Sequence, residues 1–347
     1  MAQSIEAVAG FDVGDRTISV CVVDLRGGSV LERATIATER VVVREWLARR
    51  SGLRVVVETG THTPWLARLI AEVGHEVVVA DARRVKLITD SRRKTDRRDA
   101  ELLARLGRSD LELLRPVRVR SEVAQRDRGL LRMRDALVRS RSLLINCVRG
   151  VLKTEGLRVP KCSAEAFART AWDTLPEACR ARLAPILRQI AQITRSIRGY
   201  DRQIAAVLEE RHPQAAERLD QVAGVGPVTA LALISAVEDP RRFRSGRQMS
   251  AYFGLVPRLD QSGGRDPRLP ISKEGDTYVR RLLVSAAHYV LARGPDTELK
   301  RWGLSLEARW GDRSRSRAAV AVARKLAVLL WRLWTTGETY VPLRSAA

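Results

Sequence analysis

The chain has 347 residues, and its 62 Lys and Arg against 40 Asp and Glu leave a formal charge of +22. With 45% hydrophobic and 29% charged residues and only 13 Pro, this is the composition of a folding chain. Wholesale disorder, collagen and mucin-like stalks are excluded, and a charge this foreign to a typical metabolic enzyme implies a nucleic-acid partner. Aromatic residues make up 5%, so the core must be built from Val, Leu, Ile and Ala. Cys21, Cys147, Cys162 and Cys179 contain no CxxC, and the four His are dispersed, so neither a zinc site nor a disulfide framework is expected. No apolar run approaches the length of a membrane span, and the first residues lack a basic stretch leading into an apolar one, so a cytoplasmic, nucleoid-associated protein with no membrane partner is expected.

Strand-like patterns occur over residues 18–23, 54–57 running into Glu58, and 76–80. Between the last two, Pro64 opens a helix with apolar Trp65, Leu66, Leu69, Ile70 and Val73, closed by Gly74. Strand, helix, strand is a βαβ unit, and the continuous Val runs suit a sheet covered on both faces. An α/β domain over residues 1–112 follows from this. A helical region over 113–214 comes next. Leu130, Leu137, Leu144 and Val151 recur at heptad spacing beside Leu131, Val138, Ile145 and Leu152. After a break at Gly156, Pro160 and Pro176, a second helix carries Leu183, Ile186, Ile190, Ile193, Ile197, Tyr200, Ile204 and Val207. That alternating spacing is an a/d seam, which implies coiled-coil pairing within the chain or between subunits; two helices of a monomeric bundle would carry the same pattern. In the third region, 215–347, the stretch LDQVAGVGPVTALALISAV puts Gly224 and Gly226 at a tight turn before an apolar helix. This is the pattern of a helix-hairpin-helix whose turn amides can face a phosphate. A helical tail over 315–334 has Trp331 and Trp334 at helical spacing, which points to packing.

Four acids are placed to carry chemistry. Asp12 lies where a strand meets a glycine turn, and Glu58 ends the strand VVVE. Asp96 and Asp99 stand at i and i+3, on one face of a helix. Such a cluster in a basic chain is costly unless hard divalent cations neutralise it, and Mg²⁺ is the expected metal. Two ions about 3.5–4 Å apart would polarise a phosphodiester and activate the attacking oxygen. Singly, Asp12 and Glu58 could equally cap turns, and Asp96 and Asp99 could pair with neighbouring Arg. The surrounding charge favours function: residues 83–99 carry Arg83, Arg84, Lys86, Arg92, Arg93, Lys94, Arg97 and Arg98 against Asp90, Asp96 and Asp99. A phosphate backbone could be held there. In DQSGGR, Ser262 sits before two glycines and among Arg258, Arg265 and Arg268, which makes it a candidate nucleophile. A plain turn is the bland alternative, Ser250 and Ser272 compete, and ISKEGD, with Lys273 as a further phosphate contact, equally suits an N-capped helix start.

In their order, GFDVG, VVVETGT, KTDRRDAELLARL, LDQVAGVGPVTA, the AYFGLVPR segment running into SGG, and ISKEGDTYVRRLL resemble the DEDD transposases of bacterial insertion sequences. That family includes the Piv-type invertases and the bridge-RNA-guided recombinases, and the resemblance runs from Asp12 to about Leu291. It implies an α/β plus α architecture: a RuvC/RNase H-like N-terminal domain, a coiled-coil middle serving dimerisation, and a mainly helical C-terminal transposase domain. Asp12, Glu58, Asp96 and Asp99 would bind Mg²⁺, and Ser262 would form a covalent phosphoserine link to DNA. The metal site of one subunit would complete the site of another in a dimer or tetramer, and a structured guide RNA encoded by the element would select target and donor DNA. A Holliday-junction-type nuclease would use the same acids with water as nucleophile. An actin-like kinase would need a second phosphate loop, which the sequence lacks, and a purely architectural nucleic-acid binder would leave the acids as ion-pair partners.

Overall fold

The computed structural model describes residues 4–83, 85, 95–261, 267, 269–311 and 314–343. They form two compact units, Met1–Arg120 and Ser121–Ala347.

The first unit is built on a five-stranded sheet. Strands β1 (Ala7–Val13), β2 (Thr17–Asp24), β3 (Val30–Ala37), β4 (Leu53–Glu58) and β5 (Glu76–Ala80) lie in the order β3-β2-β1-β4-β5. The pairs β1–β2 and β2–β3 are antiparallel, whereas β1–β4 and β4–β5 are parallel. Helices α1 (Arg40–Ala48) and α2 (Thr63–Glu72) cover one face and α3 (Asp96–Ser109) the other. The Val run of β4 divides between them by the two-residue period of a strand: Val55 and Val57 pack with Phe11, Leu47, Leu66 and Ile70, while Val56 packs with Val8, Leu103 and Ala104. The βαβ unit expected from sequence is β4–α2–β5, and Gly74 takes the left-handed φ of +95° that a helix C-terminus favours. Strand β3 and helix α1 add to the elements read from sequence. Edge strand β3 alternates exposed and half-buried residues with Glu32 and Arg33 among them, so it carries little hydrophobic signal.

Helix α3 lies unusually close to the sheet. A Cβ on Gly10 of β1 would stand 2.0 Å from the Ala100 carbonyl oxygen and 2.5 Å from the Ala104 nitrogen; one on Gly107 would stand 2.2 Å from Val56 Cγ2. Gly10 meets Ala100 and Ala104, whereas Val8, two residues earlier on β1, meets Gly107, so the helix runs antiparallel to β1 and to its parallel neighbour β4. Its N-terminus therefore lies at the end of the sheet where these two strands finish.

The second unit is helical. Helix α4 (Glu122–Thr154) runs antiparallel beside α6 (Glu177–Arg211), joined through α5 (Phe167–Thr174). Arg134 Nε donates to Asp201 Oδ1 at 2.5 Å, and Arg141 Nη1 to Thr194 Oγ1 at 3.4 Å, a step of seven residues on each helix. At the end of the pair nearest α5, Ile145, Val148 and Leu152 close a small core with Phe167, Leu183 and Leu187. At the other end, Leu131, Ile204 and Leu208 join the main core of α7 (Pro213–Asp220), α8 (Pro227–Val237), α9 (Gly246–Tyr252), α10 (Thr277–Ala292), α11 (Glu298–Trp310) and α12 (Arg315–Thr336). Along α6 the buried residues are Cys179, Leu183, Leu187, Ile190, Thr194, Ile197, Ile204 and Leu208, while Ile186, Ile193, Tyr200 and Val207 are half-buried. Helices α7 and α8 flank the turn at Gly224, whose φ is +92°, and Gly226 is the N-cap residue of α8. Trp334 is buried in the core and the Trp331 indole donates to the Pro240 carbonyl at 2.9 Å, so this pair packs. No helix among the described residues is long and apolar enough to cross a membrane.

Candidate active site

The parallel register of β1 and β4 pairs Ala7 with Leu53 and continues to Phe11 with Val57. One step further, at the same offset, Asp12 stands beside Glu58. Both acids follow by two residues a position that faces α3, Gly10 and Val56 respectively, so the strand period turns them toward the α3 side. There the hydrophobic core has ended and both are half-buried. Asp12 lies ~7 Å along β1 beyond Gly10. Asp96 lies four residues before Ala100, ~6 Å along the helix. All four acids thus belong to one edge: two at adjacent strand ends and two in the first turn of α3.

The start of α3 is fixed locally. Thr95 is its N-cap, accepting the Arg98 amide at 3.4 Å, and Asp96 and Asp99 are the acids of its first turn. Carboxylates there also complement the positive end of the helix dipole. Asp96, Arg97 and Arg98 are exposed and Asp99 is half-buried. Among the described residues, no three His, Cys, Asp or Glu side chains stand close enough together to hold a metal ion. The backbone shares an edge among the four acids, and their side chains are not gathered into a closed ligand set.

Beside this edge, the loops that follow Asp12 and Glu58 are joined. His62 Nε2 lies 3.3 Å from Asp15 Oδ1, and the Trp65 indole donates to His62 Nδ1 at 3.2 Å. With Nδ1 accepting, Nε2 carries the proton and donates to Asp15. Thr63 Oγ1 donates to the Glu58 carbonyl at 2.6 Å and accepts from the Gly60 amide at 2.8 Å, pinning the turn that follows Glu58. In the sequence His62 is one of four dispersed histidines, and its position four residues after Glu58 is the one signal it carries.

Ser262, Arg265 and Arg268 lie outside the described residues, as do Arg84, Lys86, Asp90, Arg92, Arg93 and Lys94. The frame of the serine segment is described. Arg258 donates its amide to Pro270 and Ser272 its amide to Val256, at 3.0 and 2.8 Å, around an antiparallel bridge between Pro257 and Ile271. A short two-stranded ribbon, 256–258 against 270–272, therefore flanks the serine segment in sequence on both sides. Its base is locked: a Cβ on Gly254 would lie 2.2 Å from the Glu274 carbonyl oxygen, and one on Gly275 1.9 Å from that of Tyr252. Buried Arg280 donates to the carbonyls of Phe253 and Glu274 at 2.9 and 2.8 Å. Arg258 and Lys273 are exposed, and Lys273 holds a left-handed φ of +56°. The competing serines separate on burial. Ser250 is fully buried, its hydroxyl directed at the carbonyls of Gly246 and Arg324, so it cannot reach a substrate. Half-buried Ser272 accepts the Glu274 amide at 3.4 Å. Asp276 caps α10 through the amides of Tyr278 and Val279, so ISKEGD does lead into an N-capped helix.

Two family models match the chain. A DEDD transposase model of the IS110 type covers residues 9–155, and one described as "Transposase IS116/IS110/IS902 family" covers residues 216–300. Among curated relatives, a probable family 20 transposase of Pseudomonas aeruginosa is 32% identical over 96% of this chain and 98% of its own length. The transposase for insertion sequence element IS1111A of Coxiella burnetii is 30% identical over 96% of this chain and 91% of its own. The transposase for insertion sequence element IS1328 of Yersinia enterocolitica is 29% identical, covering 95% and 97%. With identity at this level over nearly the whole length of both chains, and a DEDD model spanning the sheet and its acids, the chain belongs to the IS110 family of insertion-sequence DNA transposases.

Proposed function

We propose that this transposase exchanges DNA strands through Ser262 as nucleophile, assisted by Mg²⁺ held at Asp12, Glu58, Asp96 and Asp99 in a RuvC-like unit. The observation that supports the reading is the backbone course that brings Asp12, Glu58 and the first turn of α3, with Asp96 and Asp99, to one end of the sheet through the β1–β4 register and the antiparallel run of α3. An all-oxygen, all-carboxylate donor set suits a hard cation that keeps waters and phosphate oxygens as further ligands. When bound, the cations supply charge stabilisation at the scissile phosphate. The chain's own part is to hold DNA and present the nucleophile. Arg97, Arg98, Arg258 and Lys273, with Arg92, Arg93, Lys94 and Arg265, neutralise backbone phosphates, and the turn amides at Gly224 and Gly226 offer a further phosphate contact.

In the first step the Ser262 hydroxyl oxygen bonds to phosphorus, the P–O bond to one deoxyribose breaks, and that deoxyribose oxygen departs with the serine proton. In the second, a hydroxyl of the partner strand takes the phosphorus and releases the serine. One phosphodiester replaces another, so no outside energy source is needed. The locked ribbon that flanks the serine segment in sequence supports this assignment, because a nucleophile must be held to a fraction of an ångström. In this reading residues 113–214 serve self-association into a dimer or tetramer through a coiled coil, and an element-encoded RNA guides the choice of DNA.

The test is a denaturing gel for protein–DNA adduct formed by the full chain with Mg²⁺ and RNA from its own locus. Wild type yields an adduct, whereas Ser262→Ala and Asp12→Asn yield none. Cutting without adduct, equally fast in Ser262→Ala, would identify a hydrolytic nuclease with water as nucleophile. Independently of activity, saturating Mg²⁺ raises the thermal midpoint of wild type and leaves that of Asp12→Asn/Glu58→Gln unchanged.

A further inference from the structure

A cavity of the second unit lies along the outer face of α12. It is a trough of about 1090 Å³ between α12, α11, the segment 338–342 and the ribbon strand that carries residues 269–271. From Arg317 to Leu333 its wall follows α12 for ~24 Å. Helix α12 is apolar on two sides. One buries Ala319, Val322, Leu326 and Leu330 in the core, while the other leaves Val320, Ala321, Val328 and Leu329 half-exposed on the trough floor, with Trp302 of α11 opposite.

The rim is basic. Arg247, Arg317, Arg324 and Lys325 all line the trough. Two of these cations lie over indoles, Lys325 3.9 Å from the Trp302 ring centroid and Arg317 5.0 Å from that of Trp310. Two acids also line it: Glu338, held by Arg332 at 2.6 Å, and Glu298 in the first turn of α11. The excess of positive charge requires an anionic occupant, and the apolar floor requires one with flat, weakly hydrated surfaces. The volume reaches the upper limit of small-molecule pockets, ~1,000 Å³, and the length suits a chain. Duplex DNA turns its phosphates outward and hides its base faces. An unpaired strand offers both phosphates and bases, and bases stack on aromatic rings and on guanidinium planes.

We propose that this trough binds an unpaired nucleic-acid strand and leads it to the ribbon that carries the serine segment. Strand binding follows from the trough alone; the direction in which the strand is delivered rests on the proposed role of Ser262. Arg317 and Arg324, seven residues apart and ~10.5 Å along one helix face, contact successive parts of the strand backbone.

The test measures binding of the full chain to short fluorescent single-stranded DNA, single-stranded RNA and duplex DNA across a salt series, in EDTA, so that neither metal nor nucleophile contributes. Arg317→Ala/Arg324→Ala is compared with Arg188→Ala/Arg202→Ala, an equal loss of charge on exposed positions of α6. The trough variant weakens single-strand binding about tenfold and lowers the slope of log K against log salt by about 1.4, two contacts at ~0.7 each. The α6 variant retains the wild-type slope. Loss for RNA alone, for DNA alone, or for both identifies the source of the strand, and each supports the proposal. Equal losses in the two variants, a loss confined to duplex, or intact single-strand binding with lost self-association in sedimentation would overturn it; the last would mark the trough as a protein-docking groove. A missing adduct in the Ser262 assay leaves this outcome untouched, so the two readings fail separately.

Discussion

The closeness of α3 to β1 gives a sharp prediction for Gly10→Ala. The added methyl would meet the Ala100 carbonyl oxygen at 2.0 Å and the Ala104 nitrogen at 2.5 Å, whereas a comfortable contact needs ~3.5 Å. Both atoms are backbone, so no rotamer relieves the clash and α3 must retreat by more than ~1 Å. Overpacking of this kind costs ~1–3 kcal/mol, and a rigid obstacle places Gly10→Ala at the upper end. For a unit of this size ~3 kcal/mol lowers the thermal midpoint by ~10 °C. The retreat also carries Asp96 and Asp99 away from Asp12 and Glu58, and a displacement of ~1 Å at a catalytic constellation costs ~100-fold in rate. Gly107→Ala is the control. Its methyl meets the side-chain atoms Val56 Cγ2 and Val8 Cγ1, at 2.2 and 3.2 Å, rather than backbone, and at the opposite end of the helix from the acids. It loses less stability and keeps most of its activity. Scanning calorimetry and the adduct assay on both variants decide the matter. A Gly10→Ala protein that melts with wild type and forms adduct at the wild-type rate refutes the placement of α3, and with it the shared edge.

Further expectations follow from other contacts. Arg280→Met leaves the carbonyls of Phe253 and Glu274 without their buried donor, costing ~3 kcal/mol in urea unfolding and loosening the ribbon, so adduct yield falls while Mg²⁺ stabilisation of the first unit persists. Lys273→Gly relieves a left-handed φ and gains ~1 kcal/mol in the same assay, yet weakens DNA binding in a filter assay; a variant that loses stability refutes the strain. Hydrogen bonds from Arg33 and Arg105 hold the Glu101 carboxyl below the usual carboxylate range. Its stabilising contribution is therefore complete above the unfolded-state value and lost as pH falls through the lower folded one. Melting of Glu101→Gln should lag wild type at pH 7, with the gap closing in acid; a gap constant with pH refutes the pairing.

Several parts of this architecture were legible in the sequence because they repeat or punctuate. The Val runs of β4 and β5 around a Pro-opened helix define a parallel unit, and the acids at strand and helix ends stand out against a basic background. Strand β3 escaped because an edge strand with one wet face carries Glu32 and Arg33 where a central strand carries Val. The ribbon flanking the serine segment in sequence escaped because one bridge between Pro257 and Ile271 has no period to detect. In α6 the column Leu183, Ile190, Ile197, Ile204 is buried as the heptad spacing requires. Its companion in the intrachain pair is Leu187, Thr194 and Leu208, so Ile186, Ile193 and Val207 are left half-buried. Spacing gives the stripe, but the partner decides which flank of it is covered. The His62–Asp15 contact joins two loops 47 residues apart and had no local trace.

The pairing of α4 with α6 also bears on how such a protein can diverge. Arg134–Asp201 and Arg141–Thr194 are one heptad apart on both helices, and the end of the pair nearest α5 closes over its own small core. Inserting or deleting one heptad in each helix would lengthen or shorten the arm by ~10 Å while returning every side chain to the same facing partner. The arm can therefore change length only in steps. Relatives that must span different distances have a ready adjustment that leaves the cores at its two ends intact, and an insertion of three or four residues in one helix alone would be selected against.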